Sequence, residues 1–147
     1  MGDITIGIRN ISDNAMPTYA THGSSGLDVR AWIDTPLTLN SLERFMVPTG
    51  LFIEIPEGYE AQMRPRSGLA IKQGLTCLNS PGTIDSDYRG ELKVILVNLS
   101  NEPQTIHPGD RIAQLVFQKV ERVVWEERTE LSDTHRGEGG FGHTGKQ

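Results

Sequence analysis

Apolar and polar residues alternate in short runs along this chain. Ile4-Thr-Ile-Gly-Ile8 and Leu27-Asp-Val-Arg-Ala-Trp-Ile33 step between faces with the period of two that a strand requires. In the second run Asp28 and Arg30 fall opposite Leu27, Val29 and Ala31. Leu37-Thr-Leu39 and Tyr59-Glu-Ala-Gln-Met-Arg64 repeat the pattern. Phe45 to Ile55 is apolar but holds Pro48 and Gly50, which predicts two strands or one bulged strand. Leu92 to Leu99 is almost continuously apolar and reads as a central strand, and Ile112 to Val120 and Val123-Val-Trp125 complete the set. Turns are predicted at Pro56-Glu-Gly58, Ser80-Pro-Gly82, Tyr88-Arg-Gly90 and Pro108-Gly-Asp110. One stretch is helical: Ser67 can cap it, Leu69-Ala-Ile-Lys72 can form one or two turns, and Gly74 can stop it. Many short strands with one short helix predict an all-β barrel of jelly-roll type.

The 147 residues suffice for one domain with a real core. The boundaries predicted are a β-barrel body over 1–128 and, over 129–147, a polar linker and a glycine-rich arm. With 36% hydrophobic and 22% charged residues, the composition is that of a soluble globular protein. A net charge of -5 argues against a nucleic-acid binder, so no nucleic-acid partner is expected. An acidic chain that handles a polyanion must gather its few cations locally. The single cysteine, Cys77, excludes an intrachain disulfide and fits a reducing compartment; it reads as a small apolar filler. No signal peptide or membrane-spanning run is visible, so the expected location is cytoplasmic, with no membrane partner.

Five segments carry candidate chemistry. In Pro65-Arg-Ser-Gly-Leu-Ala70 a strand gives way to a helix whose first amides and dipole end can receive an anion, with Arg66 and Ser67 adding a charge and a hydroxyl. The same residues are equally those of a surface ion pair and a helix cap. Gly82-Thr-Ile-Asp-Ser-Asp-Tyr-Arg-Gly-Glu91 sets Asp85 and Asp87 two apart. One could serve as a general base while the other pairs with Arg89, or the whole run could be a solvated hairpin. In Gly109-Asp-Arg-Ile-Ala-Gln-Leu-Val-Phe117 the amide of Gln114 interrupts an apolar strand and needs a partner, either backbone or a ligand phosphate. Asp28, in Ser25-Gly-Leu-Asp-Val-Arg-Ala31, is either functional or an outer-face polar residue. The tail Arg136-Gly-Glu-Gly-Gly-Phe-Gly-His-Thr-Gly145 has five glycines and little that could pack a core. Alone it should be disordered. Yet Arg136 can fork onto phosphate and Phe141 can cover a base, as in an arm closing over a nucleoside triphosphate. The four histidines show no metal-ligand spacing.

Together, and in this order, the segments resemble the five motifs of the trimeric dUTP pyrophosphatase (dUTPase) family, across residues near 20 to 145. The resemblance implies a jelly-roll-like β-barrel of β-clip type. It also implies hydrolysis of dUTP to dUMP and pyrophosphate by water attack on the α-phosphorus, with Mg²⁺ on the triphosphate. Asp85 would be the base that activates the water. Tyr88 would stack under the deoxyribose and exclude UTP. The hairpin backbone from Asn79 to Tyr88, including Thr83 and Ile84, would read the uracil edge. Arg66, Ser67 and Gly68 would hold phosphate oxygens, with Gln114 nearby. Asp28 would reach the metal through water only. From the arm, Phe141 would cover the uracil, while Arg136, His143 and Thr144 would embrace the triphosphate, with Gly142 among the substrate-binding residues. Each site of a homotrimer would be shared, with the arm closing over a neighbouring subunit. His143 stands where the family often has serine and can still donate to phosphate. Two alternatives remain: a dCTP deaminase or bifunctional deaminase-dUTPase relative, which needs an acid at the base's C4, and a non-catalytic dUTP-binding regulator, which has no use for Asp85.

Overall fold

The computed structural model, which describes residues 2–147, joins the predicted runs into two four-stranded antiparallel sheets and a two-stranded ribbon. One sheet has the order β1 (Gly7–Asn10), β4 (Arg44–Glu54), β8 (Leu92–Asn98), β6 (Leu75–Cys77). The other runs β2 (Leu27–Arg30), β10 (Arg111–Lys119), β5 (Tyr59–Arg64), β7 (Gly82–Ile84), and β3 (Leu37–Leu39) pairs with β9 (Gln104–Ile106). Inward residues of both sheets merge into one core. Val29, Leu75, Leu92, Val94, Leu96 and Ile112 are among its largest fully buried members. This is the all-β, jelly-roll-like barrel expected from the pattern.

Several elements differ from the sequence reading. The first strand is shifted: Gly7 to Asn10 pair with Glu54 to Leu51, and among the described residues no strand lies beside 2–6. Phe45 to Ile55 is one bulged strand, its register to β8 slipping between Pro48 and Leu51. The β2 ladder stops at Arg30, after which Ala31 donates to the Asp110 carbonyl and Trp32 to that of Pro48. Strands β6, β7 and β9 were not predicted. Each has three residues, too few to show alternation.

Val123-Val-Trp125 is not a strand. Among the described residues nothing pairs with it, and Trp125 is 89% exposed. The last hydrogen bond between this end of the chain and the barrel is Val120 N–H to the Gly58 carbonyl, at 2.9 Å. Among the described residues, no helix is long and apolar enough to cross a membrane.

The helix α1 (Ser67–Gln73) lies where predicted and closes on Gly74 in the left-handed conformation, φ +65°. Its cap differs from expectation. Arg66 holds the extended N-cap position, so Ser67 is the first helical residue and its hydroxyl caps nothing.

Candidate active site

Asp28, midway along β2, ties together the end of β5 and the start of β10. Its Oδ1 lies 3.2 Å from Arg66 Nε and its Oδ2 3.5 Å from Arg111 Nη1. Arg66 also donates through Nη1 to the Arg111 carbonyl at 3.2 Å. The carboxylate is thus spent on holding two guanidinium groups at the mouth of a groove. That groove, about 360 Å³, is lined by Ser25, Asp28, Arg66, Ser67, Gly68, Arg111 and Gln114 among others. The amides of Ser67, Gly68 and Leu69 precede the first helical hydrogen bond, Ala70 N–H to the Arg66 carbonyl, and have no partner among the described residues. Two fixed cations and free amides make this a polyanion cradle. Gln114 settles its partner locally, donating from Nε2 to the Pro65 carbonyl at 3.1 Å, and it lines the same groove.

A second groove, about 220 Å³, gathers Asn79, Thr83, Ile84, Asp85 and Tyr88 with Met63, Glu91 and Lys93. β7 is the edge strand of its sheet, paired only to β5 through Gly82–Met63, Thr83–Gln62 and Ile84–Ala61. Its other edge leaves backbone donors and acceptors available to a ligand. Beyond β7 the chain turns at Asp85, with Tyr88 N–H donating to the Asp85 carbonyl at 3.2 Å. The Asp85 carboxylate is exposed and takes neither an ion pair nor a hydrogen bond among the described residues. Asp87 does not pair with Arg89, contrary to one sequence expectation. Arg89 curls onto its own turn instead, donating to the Ser86 carbonyl at 2.7 Å. Tyr88 lies over Gly90, where a Cβ would stand 2.4 Å from the phenol oxygen. Only glycine allows that approach.

The two grooves share no lining residue. The arm joins neither. Arg136, Phe141, Gly142, His143 and Thr144 sit together in a series of tight turns. Gly139 N–H donates to the Arg136 carbonyl at 3.1 Å, and His143 N–H to the Gly140 carbonyl at 3.1 Å. Among the described residues, every hydrogen bond of 121–147 stays within that segment. The Phe141 ring is fully in solvent.

Residues 12–145 match the dUTPase family. The chain belongs to that family. A deoxyuridine 5'-triphosphate nucleotidohydrolase of Fusobacterium nucleatum is 65% identical over 131 residues, which span 89% of this chain and 90% of that protein. One of Finegoldia magna is 57% identical over 138 residues, 94% of this chain and 96% of that one. Among solved structures, a mutant Staphylococcus bacteriophage 80alpha dUTPase with dUpNHpp matches at a TM-score of 0.86 and 25% identity, covering 96% of this chain and 98% of that chain.

Sequence reasoning missed Arg111. It falls in the segment singled out for Gln114, and nothing in its neighbours signals the ion pair with Asp28. The signal that existed was charge: an acidic chain placing an arginine beside Gly109-Asp110, in a stretch already singled out for Gln114.

Proposed function

We propose that this dUTPase-family chain hydrolyses dUTP to dUMP and pyrophosphate, lowering dUTP and supplying dUMP for thymidylate synthesis, as a cytoplasmic enzyme. The carrying observation is the exposed, unpaired carboxylate of Asp85 beside the open edge of β7 and the ring of Tyr88. The names of relatives 57–65% identical over most of this chain support the same substrate.

In this reading the Thr83–Ile84 backbone and Asn79 hydrogen-bond the uracil edge, which leaves cytosine with mismatched polar groups. Tyr88 packs on the deoxyribose and leaves no room for a 2'-hydroxyl. Asp85 takes a proton from water as its oxygen bonds to the α-phosphorus. The bond from that phosphorus to the α,β-bridging oxygen breaks, and pyrophosphate leaves. Arg66, Ser67 and Gly68 hold phosphate oxygens, with Gln114 steadying the strand behind them.

The donor set suits Mg²⁺ carried on the substrate. Among the described residues there is no group of three or more metal-ligating side chains, and Mg²⁺ keeps waters and takes phosphate oxygens where the protein offers few ligands. Asp28, with both oxygens on arginines, would orient a water of that ion rather than bind it directly. When bound, the ion supplies charge neutralisation on the triphosphate.

The separation of the two grooves supports sites shared between chains of a homotrimer. One protomer's arm would bring Arg136, Phe141, Gly142, His143 and Thr144 over a neighbour's site. Hydrolysis in oxygen-18 water tests the point of attack. Label in dUMP is expected; label in pyrophosphate would contradict attack at the α-phosphorus.

A further inference from the structure

The turn that bears Asp85 and Tyr88 spans residues 85–91, between the end of β7 and the start of β8. Its internal bonds are Tyr88 N–H to the Asp85 carbonyl, the Arg89 guanidinium to the Ser86 and Tyr88 carbonyls, and Tyr88 Oη–H to the Glu91 carbonyl at 2.8 Å. Among the described residues, one hydrogen bond ties this turn to the rest of the barrel. The Gly50 N–H donates to Glu91 Oε2 at 3.0 Å.

Gly50 sits in the β4 bulge with φ +71°. A Cβ there would stand 2.8 Å from the Ser12 Cβ and 3.0 Å from the Trp32 ring. The site therefore demands glycine twice over, by conformation and by space. Next to it the Thr49 hydroxyl, fully buried, donates to the Leu92 carbonyl. The bulge thus grips the exit of the turn at two successive residues. Glu91 does so with a charged acceptor, and hydrogen bonds to charged acceptors are the stronger kind. The same residue offers its carbonyl to the Tyr88 hydroxyl. A continuous path runs from the rigid bulge, through the Glu91 side chain and backbone, to the phenol.

We propose that Glu91 is a positioning residue for sugar discrimination: its carboxylate, anchored on the Gly50 amide, fixes the height of the Tyr88 ring over Gly90. The proposal rests on the reading in which Tyr88 excludes the 2'-hydroxyl. Its own content is that the exclusion depends on a residue that acts through Tyr88, by way of the Gly50 amide and the phenol hydroxyl.

The test compares kcat/KM for dUTP and UTP in the full-length enzyme and in Glu91→Ala, Glu91→Gln, Tyr88→Phe and Tyr88→Ala. Glu91→Ala lowers the preference for dUTP over UTP by about tenfold, the worth of one positioning hydrogen bond. Glu91→Gln keeps an acceptor oxygen and restores most of the preference. Tyr88→Phe cuts the path at its other end without touching the barrel, so it reports even if Glu91→Ala does not fold. It lowers the preference similarly, and combining it with Glu91→Ala lowers it little further. A loss of stability alone would reduce activity on both substrates and leave the ratio unmoved. If Tyr88→Ala abolishes the preference while Tyr88→Phe and both Glu91 variants keep it, the positioning role is overturned and the sugar reading stands. If Tyr88→Ala also keeps it, the sugar reading itself fails.

Discussion

Asp28 Oδ1 stands 3.2 Å from Arg66 Nε, joining the middle of β2 to the residue that caps α1. The pair fixes a guanidinium that would otherwise sample many rotamers, at the entrance to a helix start rich in free amides. Asp28→Ala should therefore raise KM for dUTP more than it lowers kcat. Both side chains are partly solvent-exposed, so the pair is worth about 1 kcal/mol, an increase in KM of about fivefold. Steady-state kinetics would check this, and a fall confined to kcat would place Asp28 in the chemical step instead.

The isolation of the Asp85 carboxylate leads to a sharper expectation. Asp85→Asn keeps the shape of the turn but cannot accept a proton, so kcat should drop by about a hundred- to ten-thousand-fold. Calorimetry with a non-hydrolysable dUTP analogue should give nearly unchanged affinity. Lost binding would mean that the carboxylate shapes the groove rather than acting on water.

Among the described residues the arm makes no hydrogen bond to its own barrel, so deleting residues 136–147 should leave the assembly mass and melting temperature intact while kcat/KM falls sharply. Mixing that deletion with Asp85→Asn chains under conditions that exchange subunits should recover activity, because one chain would supply the base and another the arm. Light scattering and activity on the mixture decide it; no recovery would mean that the arm closes on its own subunit.

Burial pushes the Cys77 thiol up from 9.0 to about 11. The unfolded chain gives up this proton near pH 9, while the folded chain holds it to about pH 11. Between those values the native state binds more protons, so stability falls as pH rises through this window. Urea unfolding at pH 8 to 10.5 should show the decline, and Cys77→Ala should remove that component. The native thiol should also resist thiol reagents at pH 8, since the thiolate is the reactive form.

Much of this molecule was legible in its sequence, and the limits have physical causes. Alternation over six residues located β5, an almost continuous apolar run located β8, and Gly74 marked the end of α1 because a left-handed cap suits glycine. The segment bearing Arg66 stood out as a helix start after a strand, that bearing Asp85 for two carboxylates set two apart, and that bearing Gln114 for an amide inside an apolar strand; the structure gathers them into two grooves. What was hidden depends on contacts distant in sequence. Arg111 meets Asp28 only because β10 pairs with β2, and Glu91 meets Gly50 only because β4 bulges there. β7 looked like loop because three residues carry no period, yet its edge position is what frees its backbone for a ligand. Val123-Val-Trp125 had a strand's composition and no strand beside it, a reminder that β propensity needs a partner to act.

The most direct test is pyrophosphate release with Mg²⁺ from dUTP, dCTP, UTP and dTTP in parallel. Release from dUTP alone is predicted, with UTP and dCTP lower by orders of magnitude. Comparable turnover of dCTP, or none of any nucleotide, would contradict the account and remove Asp85, Tyr88 and the β7 edge from their assigned roles.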